Sequence, residues 1–333
     1  MTGQDARAGE SHGVSGAGSR GSARMPAWVA LGAAGMIGAL TAIQSRINGQ
    51  LGVRLEDGFV AAVVSFGSGL AILIVLSLAL PAGRRGFGRL VAGVRDRGIP
   101  RWMLVGGVAG ALTVATQGLV VGIIGVSLFT VGYVAGQTVF GVVLDRVGYS
   151  PGGAVAVTVP RVAGGVLALV AVVLSLSGSG SSSAPLWMLV LPLIAGVGVA
   201  WQQATNGRLR QKVGTPLTAT LVNFITGTLV LAVAAAVHVA VEGPPEPFPV
   251  EPWLYLGGAL GVVYIFLSAA VVVHTGVLLL ALGTIGGQLF ASVVIDAIWP
   301  AAGSPGILLE ILVVAVALSS VVVAAVPWRR RRR

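Results

Sequence analysis

The 333-residue chain contains no cysteine, so disulfides and thiolate metal sites are excluded. Charge is almost as scarce. Charged residues make up 10% of the chain, against about 25% in an ordinary soluble domain. Acidic residues number 11 and histidines 3, too few and too scattered to suggest a metal cluster. No nucleotide-binding loop and no Ser/His/Asp set is present, so no enzyme chemistry and no cofactor are expected. What fills the chain instead is apolar. Hydrophobic residues reach 55% and glycines number 50, and mean hydropathy is +0.93. Several apolar runs approach the roughly 20 residues that a helix needs to cross about 30 Å of hydrocarbon. The sequence therefore reads as an all-α integral membrane protein.

Apolar windows predict ten transmembrane helices at 27–47, 59–80, 102–122, 126–145, 159–177, 187–206, 217–240, 253–273, 277–298 and 306–327. Two pairs of spans are joined by tight connections, near Gly125 and Thr275. Residues 1–25 read as a disordered polar tail and 329–333 as a basic one. The net charge of +10 raises the possibility of nucleic acid, but its placement argues otherwise. Arg84, Arg85, Arg89, Arg95, Arg97 and Arg101 fall in one connection, and Arg208, Arg210 and Lys212 in another. Arg146 and Arg329–Arg333 share their side. Glu242, Glu246 and Glu251, the Ser177–Ala184 loop and the Arg54, Glu56, Asp57 loop fall opposite. Both termini are thus expected in the cytoplasm of a multi-pass plasma-membrane protein.

The chain also repeats itself. A shift of 158 positions aligns 42–75 with 200–233 without gaps, matching Gln44 to Gln202, Asn48 to Asn206, Phe66 to Phe224 and Gly69 to Gly227. A shift of 151 aligns 102–145 with 253–296, matching Trp102 to Trp253, Gly136 to Gly287, Gln137 to Gln288 and Asp145 to Asp296. Two five-span repeats follow, at 26–178 and 185–328. Five is odd, so the second repeat must be inverted, and corresponding loops accordingly differ in charge. Inverted repeats are a recurring feature of secondary transporters.

The segment Gln44-Ser-Arg-Ile-Asn48-Gly49-Gln-Leu51, the later Ser65-Phe66-Gly67-Ser-Gly69, and the echoes Gln202-Gln-Ala-Thr-Asn206-Gly207-Arg-Leu209 and Asn223-Phe224-Ile-Thr-Gly227 resemble the YdcZ-type family of the drug/metabolite transporter superfamily. The resemblance spans about 27–327. It implies a ten-helix, two-repeat fold in the inner membrane and small-molecule transport, often export. It leaves the substrate undefined.

The expected function is secondary transport of a small metabolite or drug-like molecule by alternating access. The alternative is a non-transporting scaffold or accessory subunit. Expected partners are a small-molecule substrate and the lipid bilayer, with proton or cation coupling open; oligomeric state is not legible.

Gln137 and Gln288 lie at mid-span and are repeat partners. They read equally as a substrate site and as interhelical hydrogen bonding. Gln44, Asn48, Gln202 and Asn206 share helix faces at spacing four and either line vestibules or cap helix ends. Asn223, in the second family echo, joins this substrate-binding set. Asp145 and Asp296, at span ends, read as a gating or coupling relay or as locally paired interfacial carboxylates, Asp145 with Arg146. Arg46 is expected to point outward to Glu56 or Asp57, Arg161 to snorkel, and Glu310 to be interfacial. His238 and His274 are expected near span ends without an acidic partner. The GxxxG pairs read as packing faces.

Overall fold

A computed structural model describes residues 27–149, 153–154, 156–177, 185–301 and 306–325. The expected tails at 1–25 and 329–333 and the loop at 178–184 lie outside them. Every regular element among the described residues is helical: α1 (Ala27–Leu55), α2 (Gly58–Ala79), α3 (Pro81–Arg95), α4 (Gly107–Thr116), α5 (Gly122–Arg146), α6 (Val159–Ser177), α7 (Leu186–Val213), α8 (Pro216–Glu242), α9 (Gly257–Ile298) and α10 (Ile307–Ala325). A π-helical turn, Gln117–Val121, joins α4 to α5. By length and composition, six described stretches can cross a membrane, one of them the 46-residue Arg101–Arg146. Val159–Leu174 and Gly257–Ser268 are shorter apolar helices.

The longest stretches are not straight. Gly198 lies against Ala109, and Gly196, two positions away, lies against Tyr133. A straight helix would hold Ala109 and Tyr133 about 36 Å apart at 1.5 Å per residue. The chain therefore doubles back, and it does so at Gly125, whose φ is +88°. Only glycine adopts that conformation without strain. The same argument applies to α9. The Gln44 side chain donates to the Gly257 carbonyl at 2.8 Å, while Gly38, six residues earlier, abuts Thr284. The arms Gly257–Ser268 and Leu280–Ile298 must therefore run back on each other, with the reversal in the interval that contains Thr275.

Doubling back inside a low-dielectric core exposes helix ends that water cannot satisfy. At Gly125 a side chain from far along the chain solves this. Asp296, 3% exposed, accepts from the Val126 and Ser127 amides at 3.0 and 2.6 Å. It thus caps the N-terminus of the helix that leaves the turn, where a carboxylate also complements the helix dipole. The starts of α2 and α8 lie at repeat-equivalent positions. Asp57 caps α2 by accepting from Phe59 and Val60, and Thr215 is the N-cap residue of α8.

Helix α3 differs from the loop expected between the second and third spans. Its arginines interrupt the apolar window. At helical spacing, however, Phe87, Leu90, Val91 and Val94 share one face, with Arg85 and Arg89 on the other and Arg84 and Arg95 along its edge. Leu90 packs with Ile99, Met103, Leu209 and Val213, while Phe87 and Val91 stay exposed.

Candidate functional site

Helices α1, α2, α4, α5, α7, α8 and α9 surround one cavity of about 370 Å³. Its walls are built by reciprocal packing between the halves. Phe66 of α2 and Phe224 of α8, repeat partners, stack at 4.8 Å between ring centroids. Each ring also fills the space over the other's glycine, Phe224 over Gly69 and Phe66 over Gly227.

The amides follow the same rule. A Cβ at Gly110 would lie 2.6 Å from Gln202 Nε2, and one at Gly261 would lie 2.9 Å from Gln44 Nε2. Asn206 Oδ1 sits over Gly106 and Asn48 Oδ1 over Gly257. These four glycines are sockets for side chains of the other half. Gly136 and Gly287, by contrast, meet backbone: Gly136 the Leu193 carbonyl, and Gly287 the Gly35 backbone. The packing role expected for the GxxxG pairs fits the latter; the former also seat polar groups.

Of the expected substrate residues, Gln44, Gln137, Gln202, Asn206, Asn223 and Gln288 all face the cavity. Asn48 does not. It is fully buried and donates to Gln117 Oε1 at 2.7 Å, while Gln117 Nε2 donates to Ser45 Oγ at 3.0 Å. Asn48 thereby orients Gln117, which does reach the cavity from the first position of the π turn. Gln137 donates to Gln203 Oε1 at 3.0 Å, joining α5 to α7. Gln288 is 4% exposed, and its Nε2 has no hydrogen-bond partner among the described residues. Asn206 Oδ1 likewise has none.

Sequence reasoning missed Gln117, Tyr133, Thr113, Tyr264, Ser268 and Thr284, all of which line the cavity. A signal was present. At a shift of 151, Gln117 falls on Ser268, Thr113 on Tyr264 and Tyr133 on Thr284, pairs that are polar in both halves without being identical.

Each end of the bundle carries an arginine stacked on an aromatic ring. At one end, Arg46 of α1 lies over Trp299 at 4.9 Å, and Trp299 packs on Trp253 at 5.5 Å. Arg46 is 4% exposed and interacts electrostatically with Asp296. This corrects the outward orientation expected for it. At the other end, Arg208 of α7 lies over Tyr149 at 4.6 Å, and Tyr149 packs on Trp102 at 5.7 Å. Arg208 also donates to the Tyr149 and Gly148 carbonyls at 2.7 and 2.9 Å. Trp253 and Trp102 are repeat partners, whereas Arg46 falls on Ala204 and Tyr149 on Pro300, so the two clusters share the outer tryptophan and a similar stacking but not equivalent arginines.

The remaining ionisable groups also find partners other than those expected. Asp145 pairs with Arg161 at 2.9 Å rather than with Arg146, so Arg161 does not simply snorkel. Arg54 pairs with Glu251 at 3.3 Å, and His238 lies 3.1 Å from Asp57. Glu310, in the first turn of α10, is 2% exposed. The side chain of His274 is outside the described residues. No group of three metal-ligating side chains occurs among the described residues.

A family profile described as "Putative inner membrane exporter, YdcZ" matches residues 29–174 and again 187–323, once in each half. No curated protein matches the chain.

Proposed function

Because the chain belongs to the YdcZ family of the drug/metabolite transporter superfamily, we propose that it exports a small molecule across the cytoplasmic membrane by alternating access. In this reading ten segments cross the membrane as two inverted five-helix repeats, 26–178 and 185–328, with both termini cytoplasmic. One observation carries it: repeat-related polar side chains from both halves, Gln44 with Gln202 and Gln137 with Gln288, converge on one cavity, and Gln44 and Gln202 are each seated over a glycine of the opposite half. The doubled-back chain at Gly125 and within α9 supports ten crossings rather than six.

The two arginine–aromatic clusters serve as the gates. Arg46–Trp299–Trp253, with Asp296 on the Gly125 turn, closes one mouth. Arg208–Tyr149–Trp102, with Asp145 and Arg161 nearby, closes the other. A rocking of one half against the other parts one cluster while the second stays closed. Asp145 and Asp296 act in this scheme as gating residues that hold helix ends, and Gln44, Gln137, Gln202, Asn206, Asn223 and Gln288 contact the substrate. Asn48 acts indirectly, through Gln117.

The native chain lacks cysteine, so single introduced thiols report cleanly. With Glu246→Cys and Arg89→Cys in sealed vesicles, an impermeant maleimide should label the two from opposite sides. Labelling of both from one side would overturn the inverted arrangement. Efflux from proteoliposomes should fall in Gln137→Ala and Gln288→Ala. Unchanged efflux in both would refute the cavity as the transport site.

A further inference from the structure

We propose that the transported molecule is an uncharged, multiply hydrogen-bonding solute, such as a polyol, sugar or nucleoside, rather than an organic cation or anion; this rests on the export reading above. The cavity is polar without being charged. Among its described lining residues, amides and hydroxyls supply the polar groups, and no carboxylate, ammonium, guanidinium or imidazole is present. An ion entering this space would lose its water in the membrane interior and gain no counter-charge. Among the charged residues at the two ends, Asp296, Asp145 and Arg208 are bonded to partners there, and Arg46 stacks on Trp299 outside the cavity lining, with its Nε and Nη1 unpartnered among the described residues.

The cavity also contains unmet hydrogen-bonding capacity of both kinds. Among the described residues, Gln288 Nε2 is a donor without a partner on a side chain 4% exposed, and Asn206 Oδ1 is an acceptor without a partner. An apolar solute that displaced water from them would leave both unsatisfied, which is disfavoured. A solute with hydroxyl or amide groups accepts from one and donates to the other. The Phe66–Phe224 stack supplies an apolar face, against which the C–H face of a sugar ring or a nucleobase can lie. The volume of about 370 Å³ is at the low end for ligand pockets and suits one such unit rather than an oligomer.

The test uses the full chain reconstituted in liposomes, with counterflow of labelled glucose, sorbitol and uridine as the neutral arm. Putrescine and tetraphenylphosphonium form the cationic arm and succinate the anionic arm. The expected result is saturable flux of at least one neutral probe. That flux should fall about ten-fold or more in Gln288→Leu, as expected when one buried hydrogen bond to the solute is lost. Asn206→Leu provides a second reading should Gln288→Leu fail to yield monodisperse protein. Saturable flux confined to the charged probes overturns the substrate class and leaves export standing. Neutral flux that both variants leave intact overturns the roles of the two amides. Absence of saturable flux of every probe, from protein with the opposed labelling described above, overturns export itself.

Discussion

Removal of the Asp296 carboxylate tests the buried polar scheme most directly. In Asp296→Ala, the Val126 and Ser127 amides lose acceptors now at 3.0 and 2.6 Å. Loss of a helix N-cap costs about 0.5–2 kcal/mol, and hydrogen bonds to a charged group are worth about 1.5–3 kcal/mol each. Water cannot easily replace the carboxylate, because Asp296 is 3% exposed. Arg46, 4% exposed and not in ion-pair contact with Asp296, also loses a nearby opposite charge, which costs only part of the about 3–5 kcal/mol of a broken buried pair. Its stacking on Trp299 offsets part of this. The overlapping terms give an expected loss of about 3–4 kcal/mol. Asp296→Asn retains one acceptor oxygen and should lose about half as much. The decisive variant is the double one. If Arg46 is stranded by the loss of Asp296, Arg46→Met should restore about 1–2 kcal/mol in the Asp296→Ala background. The assay is denaturant unfolding of the four proteins in bicelles, read by tryptophan fluorescence. An Asp296→Ala protein within about 0.5 kcal/mol of the native chain, or a double variant less stable than Asp296→Ala alone, would refute the reasoning.

Gly136→Val should destabilise by about 1–3 kcal/mol or more, because the new Cβ would overlap the Leu193 carbonyl, whereas Gly67→Ala should stay within about 0.5 kcal/mol, since nothing lies within 4 Å of its added carbon; melting temperatures in detergent compare the two. Phe66→Ala and Phe224→Ala should be coupled by about 0.5–1.5 kcal/mol in a double-mutant cycle, because their rings stack at 4.8 Å; strict additivity would count against the contact. Arg208→Gln removes the stack on Tyr149 and two bonds to carbonyls. A reporter Thr205→Cys, at a site that is fully buried, should then react faster with an impermeant maleimide, and an unchanged rate would argue against a gate there.

Much of the fold was legible because membrane helices announce themselves through long apolar runs. The repeat was legible because rare residues recur at fixed offsets, and the family profile likewise matches once per half. The Gly125 reversal followed from run length alone. What closes that reversal did not, since Asp296 lies 170 positions away from Val126 and no local pattern links them. Helix α3 was hidden by its own arginines, which depress the hydropathy that a window averages while leaving the helical period intact. Arg46 was misplaced for a different reason. A lone charge on an apolar run is ordinarily assigned to the nearest water, and only the fold brings Trp299 and Asp296 to it. In the cavity, identity was too strict a filter. Positions that stay polar while changing residue, such as Tyr133 and Thr284, line the site as fully as Gln137 and Gln288 do.

The glycines give the symmetry a chemical use. Gly110 and Gly261 are equivalent, and over each sits a glutamine of the opposite half, Gln202 or Gln44. A methyl group at either site would not meet rigid backbone, as at Gly136. It would meet the end of a flexible amide, which can turn aside, at Gly261 with loss of the hydrogen bond from Gln44 to the Gly257 carbonyl, a cost of about 0.5–1.5 kcal/mol. The cavity is where that amide has room to go, since both glutamines already line it. Gly110→Ala and Gly261→Ala should therefore separate transport from stability. Melting temperature should change little, while the apparent affinity for the transported solute weakens as an amide moves into its space. A loss of stability equal to that of Gly136→Val, with affinity unchanged in the surviving protein, would mean that these glycines serve packing alone.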